Sequence, residues 1–196
     1  DKQLSRGEWR GGVRLTQIPT TEGAPARVLT SEAVEMLLKP DGRNLDTART
    51  LAPGRLELIP AKAPGGAAAR EGRRLLTAER LGMQFAEESQ LRVLRADKRV
   101  RLESEIPPPA PTAARAQRGA PAAARPTQRV TTSDALTAQF TLASQELETL
   151  EQTGDFHYLE GEQQATAERA YYVAAEEKVT LTGATAPGIP AMILGH

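Results

Sequence analysis

Apolar residues recur two apart along much of this chain, and an acidic residue interrupts each row. Val28, Thr30, Val34, Met36 and Leu38 share one parity, as do Leu75, Thr77, Leu81, Met83 and Phe85, and Val130, Thr132, Leu136, Phe140 and Leu142. The interrupting residues are Glu32, Glu79 and Asp134. They belong to a short repeated phrase: TSEA after Leu29, TAER after Leu76, TSDA after Thr131 and TAER after Ala165, led by Thr30, Thr77, Thr132 and Thr166. A second phrase with apolar residues two apart follows the first three copies, as GRLEL, KRVRL and GDFHY. GGVRL at 11–15 resembles the tail of such a unit that began before this chain. Self-similarity of this kind marks a repeated supersecondary unit.

The phrase fits the start of an amphipathic helix, with Ser31 or Thr77 as N-cap and an early glutamate. Alternation argues instead for strands, and the downstream residues favour them. KPDGRN at 39–44 is a turn signal. AEES at 86–89, LASQ at 142–145 and AAEEK at 174–178 occupy the equivalent places. A helix confined between them would have only about two turns, marginal without tertiary support. Two strands joined by a turn fit better. The predicted pairs are 75–85 with 91–102, 130–140 with 147–158, and 165–173 with 179–182, stacked as hairpins into one continuing, curled sheet.

Three spacers separate the units: 16–26, 59–73 and 104–127. The last, SEIPPPAPTAARAQRGAPAAARPT, is too rich in proline and alanine for a packed element and is expected to be a mobile, partly polyproline insertion. The rest of 1–196 reads as one β-repeat domain, a segment of something longer.

Composition supports an elongated object over one deep core. Hydrophobic residues make up 39% of the 196 and aromatics 4%, which suits units that each bury a modest face against their neighbours. Basic and acidic residues balance at 25 each and are well mixed, so nucleic acid is a poor partner. There is no cysteine, which excludes disulfides and thiolate metal sites. No apolar run is long enough to span a membrane as a helix.

Nucleophile-elbow, P-loop and dinucleotide fingerprints are missing, and the two histidines, His157 and His196, are too far apart to make a metal site. The expectation is a protein without catalysis, metal or cofactor. Glu87–Glu88 and Glu176–Glu177 fall at predicted turns as solvated charge. Alternation places His157 opposite Phe156 and Tyr158, facing solvent. Trp9 is expected at a turn or strand start.

The segment ATAERAYYVAAEEKVTLTGATA at 165–186 resembles the repeat of the OstA-like, or LptA–LptC, family of lipopolysaccharide-transport proteins. Ala167, Glu168, Ala170 and Tyr172 match the first strand of that repeat, and Val179, Leu181 and Gly183 the second. LLTAERLGMQF and VTTSDALTAQF are looser matches, and VLTSEAVEMLL is the loosest. The Pro/Ala insertion departs from the family pattern.

The resemblance implies an all-β fold, a curved open β-jellyroll of repeated antiparallel hairpins, located in the bacterial periplasm. It implies lipopolysaccharide as partner, with lipid A acyl chains in an apolar groove, and edge-strand pairing with other transport proteins or with itself. The candidate groove residues are Val34, Met36, Leu81, Met83, Phe85, Val100, Leu102, Leu136, Phe140, Phe156, Tyr172 and Leu181. The same residues also fit a closed core, in which case the chain is a β scaffold of the cell envelope with protein partners only. Arg73, Arg74 and Arg129, near strand ends, are candidates for contact with lipid phosphates.

Overall fold

The computed structural model describes residues 5–18, 25–60, 72–106 and 127–183. Residues 107–126 of the predicted insertion lie outside the described residues.

The described chain is β-sheet, with two single 3-10 turns at Glu87–Ser89 and Ala174–Glu176. The strands are β1 Arg6–Gln17, β2 Ala26–Leu38, β3 Leu45–Thr50, β4 Gly54–Ile59, β5 Arg74–Ala78, β6 Arg80–Phe85, β7 Leu91–Ile106, β8 Thr127–Phe140, β9 Leu147–Glu160, β10 Gln163–Val173 and β11 Lys178–Thr182. All eleven form one sheet, and every pairing in it is antiparallel. β3 and β4 are two halves of one bent strand, both pairing with β2; β5 and β6 are likewise two halves, both pairing with β7. The sheet is thus a meander in chain order, with β1 and β11 at its edges. The expected hairpins are present, and the helical alternative is excluded for the described phrases.

Every long strand changes direction at one aligned line. Register breaks fall between Arg10 and Val13, Asp97 and Val100, Thr132 and Ala135, and Ala167 and Arg169. Glu79 separates β5 from β6, and Leu51–Pro53 separates β3 from β4. The sheet folds over along this line into two arms. Arm A holds β4, β5 and the halves 13–17, 26–31, 100–106, 127–133, 156–160 and 163–167. Arm B holds β3, β6, β11 and the complementary halves.

The repeated phrase sits at this corner. Ser31 and Val34, Ala78 and Leu81, Ser133 and Leu136, and Ala167 and Ala170 are buried pairs three residues apart. In a regular strand such pairs face opposite ways. Here both members face the interior, because the corner carries one extra residue, as in a β-bulge. The acidic residue of each phrase lies inside that step.

The alternate strands bend differently. Ala96 and Val100, and Gln152 and Phe156, are buried pairs four apart. Between them lie residues with left-handed backbone: Lys98 and Arg99 in β7 (φ 64 and 51), Gly154 and Asp155 in β9 (φ 76 and 47). Corner side chains satisfy the backbone groups the bend frees. Ser31 and Ser133 hydroxyls each lie within hydrogen-bond reach of the carbonyl two residues on, at 3.2 and 3.1 Å. The Leu81 N–H donates to Thr50 Oγ1 at 2.9 Å.

The bulge corrects the expected parity. Val34, Met36, Leu81, Met83, Phe85, Leu136 and Phe140 face the interior, but Val28, Thr30, Leu75, Thr77, Val130 and Thr132 belong to the opposite face, where Val28 is nonetheless buried at 4% exposure. Before each corner the interior residues are Leu29, Leu76 and Thr131 instead, members of one ladder that runs Leu15, Leu29, Leu56, Leu76, Leu102, Thr131, Tyr158. The phrase threonines form a ladder outside: Arg14, Thr30, Arg55, Thr77, Arg101, Thr132, His157, Thr166. Basic side chains and threonines therefore alternate across the outer face of arm A.

Leu29, Leu56, Leu76, Leu81, Leu91, Val34 and Val100 are the largest of the fully buried side chains. Full burial of such a side chain contributes about 1.5–3 kcal/mol. The principal cluster draws on both arms, Leu29, Leu56 and Leu76 from one, Ala48, Met83, Leu94 and Ala138 from the other. Small residues opposite large ones let the arms close. A second cluster of Phe156, Tyr158, Ala167 and Ala170 fills the β9–β10 sector.

At the first hairpin turn, Asp41 accepts backbone N–H bonds from Arg43 and Asn44 at 2.8 and 2.9 Å. Those bonds, led by Asn44, hold its carboxyl down at about 2.

Candidate functional site

All twelve candidate groove residues face the interior of the folded sheet, but they are not equivalent. Val34, Leu81, Met83, Phe85, Val100, Leu136 and Phe140 are buried in the principal cluster, with Met36 and Leu102 packed against it. Phe156 belongs to the second cluster and Leu181 packs on it. Tyr172 is half-buried in β10 near the far edge. In the middle of the sheet the interior is filled: Val34, Leu91 and Ala96 have no exposed surface.

It loosens towards both edges. On β1, Val13 and Leu15 are half-buried, and the Trp9 ring folds back over Gly7 with 42% of its surface exposed. Trp9 is therefore a mid-strand residue and not at a turn or a strand start. On β11, Val179 and Leu181 are half-buried.

The interior is open near the β1 edge. A cavity of about 250 Å3 lies between the arms near the β1 edge. Leu15, Leu29 and Leu56 of arm A and Leu45, Met83 and Phe85 of arm B line it. Of the candidate groove residues, Met83 and Phe85 reach this space.

At its rim stands Arg27, which the sequence pattern did not single out. Arg27 is 3% exposed. It follows the same interior parity as Leu29, one step nearer the mouth between the arms. Its Nη2 donates to the Gln145 carbonyl at 2.9 Å, and its Nη1 makes longer bonds to Gln145 Oε1 and Gln17 Oε1, at 3.3 and 3.4 Å. The guanidinium lies over the Phe140 ring, 4.9 Å from its centroid. Burial pushes its pKa down to about 10, which leaves it charged at neutral pH.

Gln145, in the turn after β8, accepts a bond from the Leu91 N–H at 3.0 Å. Gln17 Nε2 donates to the Ser89 carbonyl at 2.9 Å. Together these contacts clasp the tips of the two arms over the cavity.

The predicted arginines differ in their surroundings. Arg73 pairs with Glu57 at 2.8 Å on the outer face. Arg74 begins β5 at the mouth of arm A. Arg129 donates to Glu160 at 2.8 Å and lies 5.8 Å from the Tyr158 ring centroid. The Tyr158 hydroxyl donates to Glu160 as well. Burial, and then this bond, push the Tyr158 phenol up to about 12.

Further inside, Gln152 is buried and its Nε2 donates to Thr131 Oγ1 at 2.9 Å, a polar bridge between the arms. His157 is exposed on the outer face and pairs with Asp155 at 3.0 Å. Glu87, Glu88, Glu176 and Glu177 are exposed at turns, as the sequence predicts.

On the outer face of arm B, Gly82 floors a depression of about 460 Å3 rimmed by Arg6, Arg49 and Arg95. Arg6 and Arg49 both ion-pair with Glu35, and Arg49 leads in holding that carboxyl below its ordinary range.

Among the described residues, no group of three or more His, Cys, Asp or Glu is placed to hold a metal. No helix among them is long and apolar enough to cross a membrane. No family model and no curated protein matches the chain.

Proposed function

We propose that this chain is a lipid-handling element of the bacterial envelope, a periplasmic carrier that binds lipopolysaccharide by its acyl chains and passes it along a bridge of like proteins. The supporting observation is a single folded sheet whose apolar interior loosens at two edge strands, each paired on one side only among the described residues. Such an edge presents unpaired N–H and C=O groups to a further strand. A neighbour added at β1 or β11 extends both the sheet and the apolar interior, so cargo and partner use the same ends. Acyl surface taken from water there gains about 25 cal/mol per Å2.

The filled middle of the interior favours a second reading, a β scaffold of the envelope with protein partners only. Photo-crosslinking amino acids at Met83 and Phe140 in cells separate the two. Adducts with lipopolysaccharide at Met83, on the cavity, support the carrier. Protein adducts alone, or none at either position, remove the carrier and leave the scaffold.

A further inference from the structure

We propose that the cavity near the β1 edge takes one acyl chain of an amphiphile with an anionic oxygen head, carboxylate or phosphate, and that Arg27 binds that head. The inference rests on the lipid-handling reading and narrows it to one subsite and one head chemistry.

Arg27 is a buried cation with an incomplete set of partners. Its Nε has no hydrogen-bond partner, and among the described residues no carboxylate pairs with it. Its bonds go only to amide oxygens of Gln145 and Gln17, two of them at the long end of the range. An uncompensated buried charge is costly, and breaking a buried pair shows how costly. Nearby arginines are provided for: Arg129 has Glu160 and Arg73 has Glu57. Arg27 alone of these three faces an apolar cavity.

A planar guanidinium offers two parallel N–H groups to one carboxylate or phosphate. The free Nε and an adjacent Nη provide them here. The Phe140 face supports the cation from one side. Leu29, Leu56 and Phe85 supply the apolar wall for the chain. At about 250 Å3, the space falls below the roughly 300–1,000 Å3 of pockets that enclose whole drug-sized ligands. It therefore suits one chain, with its head at the rim. The head would replace Gln145 at Arg27 and release the arm tips locally, which links binding to opening of the clasp.

The test is calorimetric titration with four twelve-carbon probes, each below its critical micelle concentration: laurate, dodecyl phosphate, dodecyltrimethylammonium and dodecyl maltoside. The expected result is binding of laurate, dodecyl phosphate or both at least about tenfold tighter than the cationic and neutral probes, the size of one charge-assisted bond. Comparison of laurate with dodecyl phosphate tells a fatty-acid source from a lipid phosphate. Arg27→Met should abolish the preference while leaving maltoside binding unchanged. Should that variant fail to fold, the head preference of the natural protein decides alone, with Met83→Trp, which fills the cavity, expected to remove binding of all four. Equal binding of the four heads overturns the assignment of Arg27 and leaves the lipid interior standing. No binding of any probe overturns both.

Discussion

Replacing Gly154 by alanine tests whether the repeated acidic phrase and the left-handed residues of the next strand make one corner. Gly154 has φ +76, where an alanine costs about 1–2 kcal/mol. A Cβ there would also lie 2.5 Å from Asp134 Oδ2, 3.0 Å from its Cγ and 2.8 Å from its Cβ. The Cβ contact cannot be relieved by rotating the aspartate, so the strands must shift, at about 1–3 kcal/mol. The sum is a loss of about 2–5 kcal/mol. With a urea m-value of about 2 kcal/mol/M, the midpoint falls by about 1–2.5 M. Asp134→Gly removes all three contacts. In that background Gly154→Ala should cost only the backbone part, about 1–2 kcal/mol. The cost of glycine at position 134 appears on both sides of the cycle and cancels. Urea unfolding of the four proteins, followed by circular dichroism, measures the coupling. Gly154→Ala without loss of stability, or an equal loss in both backgrounds, refutes the packed corner.

Leu76→Ala, at 1% exposure in the middle of the arm A ladder, should cost about 2–5 kcal/mol in the same assay; a loss under about 1 kcal/mol means the arms collapse onto the gap. The Tyr158 phenol, raised to about 12, favours the fold in its neutral form. That contribution is complete below the ordinary phenol pKa near 10 and is lost as pH rises through about 12. Unfolding midpoints between pH 9 and 12 should therefore fall less in Tyr158→Phe than in the natural protein, and parallel curves contradict a phenol raised by burial and by the Glu160 bond.

The hairpins were legible because strand, turn and strand each left a local mark. The second strands predicted from Leu91 and Leu147 start where β7 and β9 start, and the turn at 39–44 follows from Pro40, Asp41 and Gly42. β3 was not legible, since Leu45–Thr50 carries charge and threonine in place of a clear alternation. The facing of the residues before each corner was misread for a definite reason. Parity counts residues and cannot register an inserted one, so a step of three across Glu32, Glu79 or Asp134 reverses the inferred face. Arg27 was hidden by the same step. On the uncorrected parity it falls opposite Val34 and reads as a surface arginine, whereas the bulge puts it inside with Leu29. Gln145 had no local mark at all, because its contact with Arg27 spans 118 positions.

The recurring phrase thus encodes register before it encodes any ligand. Each copy places a threonine on the outer ladder, a small residue at the inner corner and an acidic residue on the bend. Repetition in sequence becomes alignment across strands, and an aligned row of bulges folds a flat meander into two facing arms. On the proposed carrier reading, that device also sets where a lipid enters. With Val34, Leu91 and Ala96 sealed, a chain cannot thread the closed interior from one edge to the other. Under the carrier proposal the arms must part, and the groups that hold their tips over the cavity are polar: Arg27, Gln145, Gln17 and Ser89. The neutral amide bonds at this clasp contribute about 0.5–1.5 kcal/mol each and the bonds from the Arg27 cation about 1.5–3 kcal/mol, whereas the apolar ladder beneath the corner adds about 1.5–3 kcal/mol for every buried leucine in it. The mouth is therefore the compliant side of the fold and the corner the rigid one, and the proposed cargo would enter by opening the first without disturbing the second.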